Sequence, residues 1–286
     1  MALPPTIVGI NVVIFITTIF AVTALGLRLW SNRIRRAPLI FSDYMAIVAT
    51  IFAAGTAGVC LTLGFAAGLG VHLPELIKTS PDKLVLHIKL FIPAQLLWAA
   101  ANTCVKLSIL SLYTTLFPAK PFRRVCYGTM AVSTAYFVTV LLEIFLRCKP
   151  VQFSWDKSIV DGTCDGQNTA FLVAGITNLV IDSFIVVLPM PMLWRLQIAK
   201  RKKIVIAGMF SLGAVICLLS LLRVIWLVSW DLNDQTYSGV PGVIYSTLEP
   251  VLGVVNACLP TIRPALNRLF GHHHSSLESP ACMQRT

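Results

Sequence analysis

Five ionisable side chains sit where the surrounding sequence is almost wholly apolar: Lys106, Glu143, Asp182, Arg223 and Glu249. A charge in hydrocarbon is costly and persists only against protein or water, so each of the five marks a candidate site. Three chemistries are open to such residues. A cation beside a carboxylate forms an internal ion pair that fixes helix register. A few polar groups in an apolar pocket orient a small molecule, here in a cavity opening outward and lined by Arg223, Glu249 and Glu143. A carboxyl held away from water has a raised pKa and serves as a general acid or a proton relay. The residues alone leave all three readings standing.

The elements that must position these side chains are seven apolar segments. They run near Thr6–Leu27, Tyr44–Leu69, Leu90–Leu116, Cys126–Leu146, Thr169–Trp194, Ile204–Val228 and Val240–Leu259. Each approaches the roughly 20 residues a helix needs to cross a bilayer, and none alternates as the strands of a membrane barrel do. Composition agrees: 56% of the 286 residues are hydrophobic and 12% charged, against about 25% charged in soluble domains. Disordered, collagenous and disulfide-scaffold classes are excluded. The expected fold is an all-α seven-transmembrane helix bundle over residues 1–271, followed by a short polar tail over 272–286 without fixed structure. The first segment has no basic residue before it and no small-residue cleavage site after it, and reads as a retained helix.

Lys and Arg set the expected orientation. Fifteen fall in one set of loops and the C-terminal tail, and five in the opposite set. The positive-inside rule then places the N-terminus outside and the C-terminus in the cytoplasm. Trp30 and Trp194 fall at cytoplasmic ends, and Trp226 and Trp230 at an outer end, as interfacial anchors do. The +11 net charge is thereby absorbed, and with no basic soluble module no nucleic acid is expected as a partner. The bilayer is the expected partner. Counting about 1.5 Å per residue from span ends puts Glu143 and Arg223 in the outer third, Glu249 just outside the middle, Asp182 near it, and Lys106 toward the cytoplasm. Matching depths pair Arg223 with Glu249, and Lys106 with Asp182.

Cys148 and Cys164 share an outer loop, where disulfides form, and fifteen residues between them let the chain fold back, so a bridge is expected. Cys60, Cys104, Cys217 and Cys258 lie within spans and read as small core residues. Pro189, Pro191 and Pro250 interrupt helical hydrogen bonding, and Pro260 is expected to end the seventh span. Gly64-Phe-Ala-Ala-Gly68 is a close-packing motif that seats a neighbouring helix. His272–His274 lies in the solvated tail and is not read as a metal site. Neither cofactor nor metal is expected: the last span has no lysine for a retinal Schiff base, and no phosphate loop or zinc-ligand spacing occurs. The third span lacks an acidic-Arg-Tyr end and the seventh lacks Asn-Pro-x-x-Tyr, so a G protein has no motif support. No internal repeat supports a transporter.

Together these residues resemble the fungal rhodopsin-domain family of seven-helix integral membrane proteins, which includes a satratoxin-cluster membrane protein and plant-pathogen surface-sensing receptors. The resemblance rests on Ser42-Asp43-Tyr44, Lys106-Leu-Ser-Ile-Leu-Ser-Leu-Tyr113, Phe122-Arg123, Cys148-Lys-Pro150, Trp155-Asp156 and Gly162-Thr-Cys164. It continues through Asn178-x-x-x-Asp182, Leu188-Pro-Met-Pro191, Ser220-x-x-Arg223, Glu249 and Leu259-Pro260-x-x-Arg263-Pro264. It implies the seven-helix fold, an outside N-terminus and an outer-loop disulfide. For function it implies an accessory membrane component of a secondary-metabolite (mycotoxin-type) pathway, and an apolar small molecule held in the helix bundle is the expected ligand. The alternatives are a receptor for an extracellular small molecule or surface cue, and a membrane cyclase or isomerase using a buried carboxyl.

Overall fold

Long apolar runs satisfy their backbone groups internally by forming helices, the form that open spans take in a bilayer. The computed structural model describes residues 5–154, 159, 162–164, 166–191, 200–230 and 234–270. In chain order the elements are α1 (Pro5–Ile34), α2 (Phe41–Ala66), α3 (Leu73–Thr79), α4 (Pro81–Leu116), α5 (Lys120–Leu146), β1 (Cys148–Lys149), a 3-10 turn (Val151–Ser154), β2 (Thr163–Cys164), α6 (Gln167–Val187), α7 (Lys200–Val228), α8 (Gln235–Ser238) and α9 (Val240–Phe270). Seven of these helices are long and apolar enough to cross a membrane, all except the short α3 and α8. The protein is a seven-helix, multi-pass membrane protein.

The spanning helices touch in sequence around the bundle, α1 to α2, α2 to α4, and on through α5, α6 and α7. Helix α9 closes the ring against α1 and also reaches α2 and α4, so it is the most enclosed of the seven. Small residues permit this closeness: Ala49, Ala53, Ala57, Ala99 and Ala101 line buried faces of α2 and α4. Phe15, Ile16, Ile19 and Phe20 of α1 point outward, a lipid-facing stripe where apolar exposure costs nothing. Gly64 of the glycine motif seats α1, because a Cβ there would lie 2.6 Å from the Asn11 side chain. Gly68, at φ +70°, supplies the left-handed residue just beyond the end of α2.

Several helices outrun their expected limits. Helix α4 starts at Pro81 rather than near Leu90, because proline suits the first turn and Asp82 complements the helix dipole there. At 36 residues it measures about 54 Å, well beyond a hydrocarbon core of about 30 Å. Helix α6 ends at Val187 and the chain turns at Leu188–Pro189, since Pro189 cannot donate to the preceding turn; Met190 and Pro191 are again helical. Trp194, the loop residues Trp155 and Asp156, and the tail with His272–His274 lie outside the described residues. Pro260 does not end the last span: α9 continues to Phe270. Polar side chains of α1 donate to carbonyls on either side of that proline, Arg28 to Ala257 at 2.6 Å and Ser31 to Thr261 at 2.5 Å, and so tie α9 to α1 there.

One end of the bundle carries α3, α8 and a two-residue ribbon in which β1 and β2 pair antiparallel, with Cys148 opposite Cys164. A disulfide joins these two cysteines. This disulfide end is where the interior opens.

Candidate functional site

Four helices converge on a buried polar network in mid-bundle. Lys106 of α4 lies 3.2 Å from Asp182 of α6, and Arg223 of α7 lies 3.5 Å from Glu249 of α9. Asn178, one helical turn before Asp182, joins the two pairs. Its carbonyl accepts from Lys106 at 2.5 Å. Its amide donates to Asp182 at 3.0 Å and to Glu249 at 2.5 Å. Ser220, one turn before Arg223, donates to Asp182 at 3.1 Å. The Trp98 indole donates to Glu249 at 3.4 Å, and the Arg223 guanidinium lies 3.5 Å from the centre of the Trp98 ring. Two cations face two carboxylates, so the network is neutral overall and each charge has an opposite partner, the condition under which buried charge is tolerated.

Between this network and the disulfide end lies a forked cavity. The inner chamber, about 110 Å³, is floored by Trp98 and Arg223 and walled by Phe91, Phe171, Trp226, Trp230 and Val243. A vestibule of about 270 Å³ is bordered by Leu73, Ile144, Arg147, Cys148, Cys164 and Thr236. The two share His87, Phe91, Gln95, Phe171 and Gln235. Spacing explains the wall: His87, Phe91, Gln95 and Trp98 recur at three- and four-residue intervals, so one stripe of α4 descends from vestibule to floor. Lys106, eight residues further, lies about 12 Å below.

Of the five expected residues, the structure brings Lys106, Asp182, Arg223 and Glu249 into one network, and only Arg223 reaches the cavity wall. Glu249 is turned away, its carboxylate enclosed by Asn178, Arg223 and Trp98. Glu143, expected on the same wall, instead pairs with Arg147 one turn along its own helix; Arg147 in turn lies 4.2 Å over the Phe171 ring. The nearer cation decides this, because an i,i+4 partner needs no tertiary approach. Trp226 and Trp230, expected as membrane-interface anchors, face the cavity, with Trp226 donating to the Ser238 carbonyl at 2.8 Å.

Two clusters were not foreseen. Arg28, counted above with the loop cations, is completely buried. It donates to Asp43 at 2.8 Å and to Ser42 at 2.5 Å, besides Ala257, and so locks α1, α2 and α9 at the end opposite the disulfide. Over the vestibule, His72 meets Asp234 at 2.5 Å and stacks on Tyr237 at 4.0 Å. The Leu73 amide also donates to Asp234, and Thr236 donates to the Val71 carbonyl. This clasp ties the loop before α3 to α8. Desolvation pulls the Asp234 carboxyl up, but the Leu73 amide and His72 outweigh it and hold the group below the usual carboxylate range. Among the described residues no three His, Cys, Asp or Glu side chains gather to hold a metal.

Comparison with known proteins identifies the architecture. Over 278 residues the chain is 26% identical to the polyenoic acids biosynthesis gene cluster protein Ba17b of Metarhizium anisopliae, covering 93% of this chain and 76% of that protein. It is 28% identical over 174 residues to the satratoxin biosynthesis SC1 cluster protein 4 of Stachybotrys chartarum, covering 60% and 63%. It is 24% identical over 258 residues to the Receptor GIN3 of Arthrobotrys oligospora, covering 86% and 59%. The chain thus spans about three quarters of the first relative and under two thirds of the other two. No solved structure matches. The family model described as the fungal rhodopsin domain matches residues 27–268, which takes in the buried network, the disulfide ribbon and every cavity-lining residue, and the chain belongs to that family.

Proposed function

We propose that this protein is an accessory membrane component of a secondary-metabolite pathway, and that it holds an apolar small molecule in the forked cavity. The observation that carries the reading is the cavity itself: an aromatic chamber reached from one end of the bundle and floored by the Arg223–Trp98 stack. Small-molecule sites combine mostly apolar walls with a few fixed polar groups. The names of the relatives from Metarhizium and Stachybotrys support the pathway assignment. The Lys and Arg distribution supports an orientation with the disulfide end outside and the C-terminus in the cytoplasm.

The geometry favours binding over acid catalysis. Among the described residues no carboxyl lines either part of the cavity, so a cyclase relying on a buried carboxyl would not have it at its substrate. A receptor reading has one specific observation behind it, the similarity to the Receptor GIN3. Deletion of the gene in its native host, followed by metabolite profiling and by response assays, separates the two. Loss or change of a secondary metabolite supports the accessory reading. An unchanged metabolite profile with a lost response to an external cue replaces it with the receptor reading.

A further inference from the structure

Four residues that line the cavity carry buried polar atoms that have no hydrogen-bond partner. In the inner chamber these are Nε of Arg223, Nε1 of Trp230 and Nδ1 of His87; in the vestibule it is Nε of Arg147. Trp230 and His87 are each more than nine-tenths buried, at 8% and 7% exposure. A buried polar atom left unmade costs free energy that a ligand bond recovers. Three of the four are N–H donors with no lone pair to offer; the His87 ring bonds the Ala67 backbone, so the nitrogen left over in the neutral ring is an acceptor.

Charge narrows the class further. Arg223 is opposed by Glu249, Lys106 by Asp182 and Arg147 by Glu143. Among the described residues that line the cavity, the two cations, Arg223 and Arg147, are both paired and no carboxylate is present to receive an amine. The unpartnered buried atoms at the site are chiefly hydrogen-bond donors, set in apolar surface.

Resting on the binding reading above, we infer that the cavity selects uncharged, apolar molecules bearing oxygen acceptors, such as carbonyl or ether oxygens, and that Arg223 and Trp230 recognise those oxygens. The aromatic walls take the apolar body by area, and the donors set its orientation and discriminate against plain hydrocarbons.

The test uses the full chain in lipid nanodiscs, with empty nanodiscs as the partition control, and equilibrium dialysis of four matched probes: naphthyl methyl ketone, ethylnaphthalene, naphthoate and naphthylmethylamine. The ketone is expected to bind roughly tenfold tighter than ethylnaphthalene, equivalent to one or two net hydrogen bonds. Trp230→Phe should lower ketone affinity more than ethylnaphthalene affinity, so that the ratio between the two falls toward one while Arg223 stays in place; a ratio unchanged in the variant overturns the role given to the Trp230 N–H. Equal affinities for ketone and hydrocarbon overturn the acceptor inference but keep the apolar cavity. Tighter binding of naphthoate or naphthylmethylamine overturns the charge argument. Failure of all four probes to bind above the empty-nanodisc control removes the cavity reading itself.

Discussion

At the scale of the residue, buried charge governs the molecule. Removing one partner of the Arg223–Glu249 pair strands the other away from water, which costs about 3–5 kcal/mol for a buried pair. Arg223→Leu or Glu249→Leu alone should therefore lower the thermal midpoint sharply in detergent. The double substitution should recover part of the loss, short of full recovery because Asn178 and Trp98 also lose the Glu249 carboxylate. Additive losses would show that the two do not interact. Arg28→Met should be at least as damaging, since it leaves Asp43 buried without its cation and Ala257 without its donor. Wild-type stability in that variant would refute the locking role. Depth counting along the spans finds the Arg223–Glu249 and Lys106–Asp182 pairs because charges in hydrocarbon are few. It misses Asn178, whose neutral amide raises no flag although it sits one turn from Asp182. It misplaces Arg28 because an arginine one residue past an apolar run reads as a loop cation, whereas α1 continues as helix to Ile34.

At the scale of the element, short segments at the disulfide end decide access to the interior. They were the least legible part of the chain: α3 and α8 have 7 and 4 residues and carry no periodic signal. The contacts that place them link His72 with Asp234 and Val71 with Thr236, positions far apart in sequence. Long apolar runs, by contrast, announce themselves, and the spans were missed mainly at prolines, whose effect depends on whether a neighbour satisfies the freed backbone. The clasp has a signed pH dependence. The folded pKa of Asp234 is depressed, so its contribution is present above the unfolded value, about 3.9, and is lost as pH falls through the lower folded value. Asp234→Asn should open the clasp near neutral pH, seen as faster proteolysis of the loop before α3. The difference from wild type should persist at about pH 5 and vanish only below the ordinary Asp range. A difference that disappears already at mildly acidic pH would contradict the depressed carboxylate.

At the scale of the whole molecule, the bundle is polarised. A charge lock at one end ties α1, α2 and α9, a neutral network crosses the middle, and a cavity opens at the other end beneath a disulfide and a clasp. A cavity open at the disulfide end, with a charge lock at the other, is the arrangement expected of a site filled from one side of a membrane. If the disulfide end faces outside, a cysteine in place of Lys78 should react with an impermeant reagent on intact cells, and one in place of Arg36 should react only after permeabilisation. The reverse pattern would invert the orientation.

The claim that a one-sided cavity reaches the Arg223 floor is tested most directly by thiol accessibility at Gln95, which lines both chamber and vestibule. With Gln95→Cys on intact cells, a small impermeant thiosulfonate added outside should label the new thiol well above the background of the unaltered chain, and naphthyl methyl ketone should slow that labelling. Labelling only from the cytoplasmic side, or none from either side, would contradict an outward-opening ligand cavity.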